Sequence, residues 1–153
     1  MISGYYSDTG GVVHGFVRAA DGTITSFDPS GSLGTYAFGI NNKSVVTGDW
    51  QDSKGNQHGF WRAADGTITS FDATGAHITF SVSINSKGTA TGSWREASSG
   101  TQHGFVRAAK GTIRSFDVPG STGTAGNSIN DKDAITRSYT GKKRTYQGFV
   151  LSR

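Results

Sequence analysis

The stretch His58-Gly-Phe-Trp-Arg62 decides the fold, because near-copies of it return at a fixed distance along the chain. The same five positions read His14-Gly-Phe-Val-Arg18 and His103-Gly-Phe-Val-Arg107, and Gln147-Gly-Phe-Val-Leu151 is a weaker fourth copy. The successive spacings are 44, 45 and 44 residues. A fixed period of this length is typical of repeat proteins, in which each small unit buries its apolar face only against its neighbours.

Each repeat contains the signals for four short β-strands. In the second repeat the apolar run Tyr36-Ala-Phe-Gly-Ile40 comes before a turn cluster, and Val45-Val-Thr-Gly-Asp-Trp50 follows it. After the strand His58–Arg62, the hairpin signal Asp65-Gly66 leads into the alternating stretch Thr67-Ile-Thr-Ser-Phe-Asp72. Four antiparallel strands in about 44 residues are the content of one β-propeller blade.

The sequence therefore predicts an all-β fold, a β-propeller-like array of four-stranded antiparallel blades in a single repeat domain, 1–153. About three and a half repeats fit, because the chain opens on the second strand of a unit and ends on the third. The predicted strand counts per unit are three, four, four and three. The units span residues 1–35 (partial), 36–79, 80–124 and 125–153 (partial).

The half-integral repeat count leaves a sheet edge open in one chain. Such an edge offers unpaired N–H and C=O groups to a partner. Two chains would bring 28 strands, enough for seven four-stranded blades. We therefore predict a homodimer that shares one ring, and rings of four or eight blades stay open as alternatives. A truncated or designed piece of a longer repeat array would also open in the middle of a unit.

Composition agrees with many short strands and tight turns, because 23 residues are glycine and 17 are aromatic. The absence of cysteine excludes disulfides, thiolate catalysis and cysteine-based zinc or iron–sulfur sites. There is no run of about 18 apolar residues, so we expect no membrane span. The start, Met1-Ile-Ser-Gly-Tyr5, leads straight into a repeat, and we expect no signal peptide there.

Positive charge is concentrated in the last third of the chain, where residues 103–153 carry 9 basic and 3 acidic side chains. Part of it lies in the loop Gly141-Lys-Lys-Arg144, which could meet phosphate or an acidic surface and which also fits a solvated turn. Basic residues do not alternate with aromatic ones along one surface, so nucleic acid is not an expected partner.

Three of the four histidines, His14, His58 and His103, occupy the same place in successive units. If these positions converge near an axis, three imidazoles would suit zinc or a similar divalent cation, with open positions for an activated water. The other interpretation is that each histidine satisfies groups beside its own loop, identically three times. The fourth copy carries Gln147, a poor metal ligand.

Two further repeated sets suggest ligand binding. Aromatic rings end each second strand before a variable loop, where they could stack on sugars, and arginines end the third strands, where they could donate to anionic groups. In a purely structural role, the rings would pack between blades under the arginine stems. The candidate ligand-binding residues are Tyr6, Trp50, Trp94 and Tyr139 with Arg18, Arg62 and Arg107.

The repeated motifs His-Gly-Phe-Val-Arg, Asp-Gly-Thr-Ile-Thr-Ser-Phe-Asp and Gly-Ile-Asn, with Val46-Thr-Gly-Asp-Trp50, resemble the HAF-type repeats of bacterial extracellular proteins. The resemblance covers nearly the whole chain and implies a propeller-like, extracellular or periplasmic β-protein. That family has no well-defined activity, so the resemblance transfers no catalytic residues.

The sequence favours a non-enzymatic scaffold or ligand-recognition module that binds glycans or other surface ligands through loops on one face. Four loops vary where the strands do not, and loops on a rigid scaffold are where binding usually resides. No nucleophile elbow, phosphate loop or dinucleotide fingerprint occurs, so no catalytic residue is predicted. The alternative is a metal-dependent hydrolase of esters or phosphoesters that uses the repeated histidines.

Overall fold

The computed structural model describes residues 1–141, 143 and 145–152. These residues form an all-β chain of fourteen strands. In chain order the strands are β1 (Ile2–Ser7), β2 (Val13–Arg18), β3 (Ile24–Phe27), β4 (Gly34–Ile40), β5 (Val46–Gln51), β6 (Gln57–Arg62), β7 (Ile68–Phe71), β8 (Ala76–Ile84), β9 (Ala90–Glu96), β10 (Gln102–Arg107), β11 (Ile113–Phe116), β12 (Gly123–Ile129), β13 (Ile135–Thr140) and β14 (Tyr146–Leu151). The described part of the chain has no helix long and apolar enough to cross a membrane.

The strands group into four units with the predicted strand counts: unit 1 is β1–β3, unit 2 is β4–β7, unit 3 is β8–β11 and unit 4 is β12–β14. Within a unit successive strands pair antiparallel, whereas consecutive units join through one parallel pair, such as Gln57 with Ile78. The result is a mixed sheet of 14 strands, and over the described residues it is open rather than closed. This arrangement is compatible with a β-propeller.

The boundaries of the strands differ from the predicted ones by one or two residues. The first strand of unit 2 begins at Gly34 rather than Tyr36, because its register with β5 continues back to Gln51. A bulge also interrupts the first strand of every four-stranded unit, for example between Ala37 and Gly39. The extra residue turns the strand locally, and the sequence analysis did not predict it.

The turn after each first strand is built on an asparagine that also joins the units. The Oδ1 atom of Asn41 accepts hydrogen bonds from the backbone N–H groups of Lys43 and Val45, both at 3.0 Å. The Nδ2 group of Asn41 donates to the carbonyl of Asn85 at 3.0 Å, and that of Asn85 donates to the carbonyl of Asn130 at 3.1 Å. The turn asparagines therefore form a chain of hydrogen bonds through units 2, 3 and 4.

Glycine and phenylalanine lie opposite each other on paired strands. Gly48 of β5 pairs with Phe60 of β6, and Gly59 of β6 pairs with Phe71 of β7. A Cβ atom at Gly48 would meet the Phe60 ring at 2.8 Å, and one at Gly59 would meet the Phe71 ring at 2.6 Å. The rings thus lie flat over the backbone, and only glycine leaves room for them.

The same rings fill the space between units. Phe27 of unit 1 packs edge-to-face on Phe60 of unit 2, with ring centroids 5.7 Å apart, and Phe71 packs in the same way on Phe105 of unit 3 at 6.0 Å. Phe60 and Phe105 are fully buried. The core therefore lies mainly between units, as expected for a repeat protein in which single units have no core of their own.

This packing predicts that Gly48→Ala destabilises the fold strongly, because the added methyl group meets the Phe60 ring and the carbonyl of Tyr36. Overpacking of this kind lowers the free energy of unfolding by about 1–3 kcal/mol. The matched control is Gly34→Ala, whose methyl group has its nearest neighbour at 3.6 Å, an ordinary contact. Urea denaturation followed by tryptophan fluorescence measures both, and equal stability of the two variants would contradict the packing described here.

Candidate functional site

The repeated histidine lies between two carboxylates of its own unit. In unit 2, His58 Nδ1 is 2.7 Å from Asp72 Oδ2, and its Nε2 is 3.4 Å from Asp52 Oδ2. Both ring nitrogens can face carboxylates as donors only when the ring carries two protons, so this setting favours the imidazolium. In unit 1, His14 makes the same two contacts at the same distances, with Asp28 and Asp8.

Hairpin geometry positions these carboxylates. Asp52 opens the loop between β5 and β6, where its Oδ1 accepts the backbone N–H groups of Lys54 and Asn56, both at 2.8 Å. This turn leaves Oδ2 directed at His58. Asp72 follows β7, and it is brought beside His58 because the next pair in that hairpin register is Gly59 with Phe71.

Units 3 and 4 keep only part of the arrangement. His103 Nδ1 lies 2.9 Å from Asp117 Oδ2, but the loop of unit 3 provides no carboxylate bonded to its Nε2. In unit 4 the position is Gln147, whose side-chain oxygen accepts a hydrogen bond from the Tyr139 hydroxyl. Of the four described units, only units 1 and 2 therefore place a carboxylate at each of the two ring nitrogens of the histidine.

Nearby carboxylates raise the pKa of two of these histidines. The hydrogen bond to Asp28, and then the one to Asp8, raise the pKa of His14 above its ordinary value of 6.5. Burial acts to lower the pKa of His58, but the hydrogen bonds and charges of Asp72 and Asp52 outweigh it, so that this pKa is also raised. Both rings are thus held toward the protonated form, which is a poor metal ligand.

The three histidines do not meet. Each hydrogen-bonds within its own unit, and the residues that the structure describes contain no group of three or more His, Asp or Glu side chains able to hold a metal ion. A site made jointly by His14, His58 and His103 for zinc thus has no geometric support. The second interpretation, a histidine satisfied beside its own loop, fits better, although its partners are carboxylates rather than backbone groups.

The predicted ligand-binding rings lie against these histidines. Trp50 covers His58 with ring centroids 4.7 Å apart, and Trp94 stacks on His103 at 4.5 Å. The Trp50 indole N–H also donates to Ser70 Oγ at 2.9 Å, so this ring joins the three strands β5, β6 and β7. Trp94 is only 9% exposed. In units 1 and 4 the corresponding rings are Tyr6, bonded to Ser26, and Tyr139, bonded to Gln147.

Two of the three predicted ligand-binding arginines lie between units. The guanidinium carbon of Arg62 is 4.8 Å from the centroid of the Phe27 ring, and that of Arg107 is 4.6 Å from the Phe71 ring. These are cation–π contacts to the outer strand of the preceding unit. Arg18, in unit 1, is exposed. The structure therefore places Arg62 and Arg107 in the packing role that the sequence analysis gave as the alternative.

Two buried charged groups were missed by sequence reasoning. Asp49 is 2% exposed and its Oδ1 has no hydrogen-bond partner, and burial raises its pKa to about 7. Arg137 is 4% exposed, its guanidinium carbon lies 3.4 Å from the centroid of the Phe116 ring, and burial lowers its pKa to about 10. The sequence does contain a feature that marks Arg137, because this residue stands where the other units have glycine.

The basic loop of unit 4 can be placed only in part. Of the run Gly141-Lys-Lys-Arg144, Lys142 and Arg144 lie outside the described residues, and Lys143 is exposed. The hypothesis that this loop meets phosphate or an acidic surface stays a prediction.

We predict that Asp49→Asn stabilises the protein in alkaline solution. The unfolded chain ionises Asp49 near 3.8, whereas the folded chain keeps the proton up to about 7, so the free energy of unfolding falls as the pH rises between these values. The variant should be more stable than the parent by a few kcal/mol at about pH 8.5 and nearly equal to it at about pH 4. Urea denaturation at both pH values measures this, and an equal difference at both would contradict it.

The histidine–carboxylate pairs predict a second pH dependence, best measured in the Asp49→Asn background. A histidine whose pKa is higher in the folded chain than in the unfolded chain stabilises the fold at pH values below its unfolded pKa of 6.5. This stabilisation is lost as the pH rises through the folded pKa. We expect the melting temperature to fall over this range. Replacing His14 and His58 by glutamine, the residue of unit 4, should flatten the profile, and an unchanged slope would show that these pairs do not contribute.

The comparisons with known proteins assign no family to this chain. No protein-family model matches the chain, and no curated protein sequence matches it.

Proposed function

We propose that the chain is a non-enzymatic scaffold whose variable loops recognise a ligand. The observation that carries this proposal is that most of the repeated side chains are already engaged within their own unit or with a neighbouring one, Arg18 being the exception. The loops between second and third strands differ in sequence, and they follow the same strand end in each unit. These loops are 7–13, 51–57, 95–102 and 140–146.

The loops of units 1 and 2 share one backbone and differ in their side chains. Asp8 accepts the backbone N–H groups of Gly10 and Val12, just as Asp52 accepts those of Lys54 and Asn56. A positive φ also occurs at the same place, 83° at Gly11 and 85° at the corresponding glycine of unit 2. A constant frame with variable side chains is the arrangement that supports recognition.

Glycans are the ligand class that we propose to test first. Tyr6 is 42% exposed beside the loop of unit 1, and Trp50 is half-buried beside the loop of unit 2. Partly exposed flat rings next to polar loops can stack on sugar rings. Trp94 is too buried for this role.

Loop exchange tests the proposal without disturbing the frame. The triple variant Thr9→Ser, Gly10→Lys, Val12→Asn gives positions 8–12 of unit 1 the sequence of positions 52–56 of unit 2, where the turn geometry is the same. We expect an unchanged melting temperature and an altered binding profile on a glycan array. The parent protein must bind at least one glycan. An array without signal for the parent, or the same profile after the exchange, would contradict loop recognition of glycans.

We also propose that two copies associate head-to-tail to complete a ring. The open sheet supports this, as do exposed apolar side chains on unit 1, Ile2 at 55% and Tyr5 at 49%. Light scattering would give a particle of twice the 16.1 kDa chain mass for a dimer. A monodisperse particle of one chain mass excludes the shared ring. On its resemblance to HAF-type repeats, we propose an extracellular or periplasmic setting for this scaffold.

A further inference from the structure

Units 1, 2 and 3 each carry an outer strand, and β14 of unit 4 has no such neighbour among the described residues. The outer strands β3, β7 and β11 share the pattern Ile-x-Ser-Phe. In each unit the phenylalanine pairs with a glycine of the third strand, and the isoleucine pairs with an arginine three residues further along that strand. The complete units therefore indicate what the corresponding edge of unit 4 would accept.

The first open position is above Gly148. A Cβ atom at Gly15 would meet the Phe27 ring at 2.9 Å, and one at Gly59 would meet the Phe71 ring at 2.6 Å. Gly148 is the equivalent residue of unit 4, where the nearest atom to such a Cβ is the Arg137 carbonyl oxygen at 3.6 Å. No described side chain lies over Gly148, although its position matches those that hold a phenylalanine ring in the other three units.

The second open position is a cavity of about 220 Å³ between units 3 and 4, lined by Val106, Phe116, Ile135 and Leu151 among others. The first three are the repeat equivalents of Val17, Phe27 and Val46, which belong to the apolar cluster between units 1 and 2. Ile68 of the outer strand β7 also packs against that cluster. The cavity thus corresponds to the place of an outer-strand isoleucine.

The two open positions have the register of one strand. In unit 2, Ile68 pairs with Arg62 and Phe71 pairs with Gly59. The equivalents of Arg62 and Gly59 in unit 4 are Leu151, which lines the cavity, and Gly148. An antiparallel strand on β14 would therefore bring its isoleucine to the cavity and its phenylalanine over Gly148 at the same time.

We propose that the free edge of β14 binds an extended segment of a partner polypeptide with the pattern Ile-x-Ser-Phe. The backbone of the segment pairs with β14, and its two apolar side chains enter the two open positions, which is recognition by strand addition. Arg114 and Arg137 line the cavity, and the one carboxylate among the described residues there, Asp133, is bonded to Asn85 and Lys87. Because Arg137 Nε and Nη2 have no hydrogen-bond partner, a segment with acidic flanks is favoured over a basic one. This inference goes beyond the loops and does not depend on glycan binding.

A peptide with the sequence of residues 65–73, Asp-Gly-Thr-Ile-Thr-Ser-Phe-Asp-Ala, is the probe, because it carries the pattern and two acidic residues. We expect saturable binding at one site by fluorescence anisotropy of the labelled peptide. Hydrogen exchange should show slower exchange of β14 amides in the complex. Peptides with Phe71→Ala or Ile68→Ala should each bind at least about tenfold more weakly, since each loses a buried apolar side chain.

Two protein variants close the open positions one at a time. Gly148→Val should fold normally, because a Cβ there meets nothing closer than 3.6 Å, and it should weaken peptide binding at least about tenfold. Val106→Trp, which copies Trp61 of unit 2, should fill the cavity and have the same effect. Gly34→Ala, on a distant strand, is the matched control and should bind like the parent protein.

The proposal is overturned by absence of saturable binding up to about 1 mM peptide. Equal affinity of the parent and the Gly148→Val variant would overturn it as well, and so would equal affinity of the peptide and its Phe71→Ala form. A dimer by light scattering whose β14 amides are already protected and that does not take up the peptide would show that a second copy covers this edge, which also contradicts the proposal.

Discussion

The contact between a phenylalanine ring and a glycine on the adjacent strand is the constraint on which the array depends. Because glycine has no side chain, the ring of Phe60 lies directly on the backbone of β5 and extends into the gap between units. There it meets Phe27 edge-to-face and is completely buried. Burial of one phenylalanine contributes about 1.5–3 kcal/mol, and the aromatic pair adds about 0.5–1.5 kcal/mol. A single unit has no partner for these rings, so the packing that stabilises the array lies in the interfaces between units.

Most of the architecture could be predicted from the sequence, because a repeated pattern constrains every unit at once. The period, the four strands per unit and the incomplete first and last units follow from the positions of Gly-Phe, Asp-Gly and Ile-Asn motifs. The bulges in the first strands could not be predicted in this way. They recur at the same place in β4, β8 and β12, and a periodic pattern looks the same with or without them.

The candidate site was predicted less well, although part of the missing information was in the spacing. Trp50 and His58 stand at equal distances from the centre of their hairpin loop, so an antiparallel register pairs them and stacks their rings. The same reasoning brings His58 to Asp72 across the hairpin whose register is centred on Asp65. The burial of Asp49, which is 2% exposed, was beyond such reasoning, because a hairpin register gives the strand partner of a residue and not its exposure to solvent.

The chain of asparagine hydrogen bonds gives the array a direction. Each turn amide donates to the carbonyl of the unit that follows it, from Asn41 to Asn85 and from Asn85 to Asn130, and never the reverse. The two sides of a unit are therefore unlike, because one presents a donor amide and the other an accepting carbonyl. A unit placed in the reverse orientation would bring two donors or two acceptors together, so these bonds fix the direction in which units 2, 3 and 4 stack.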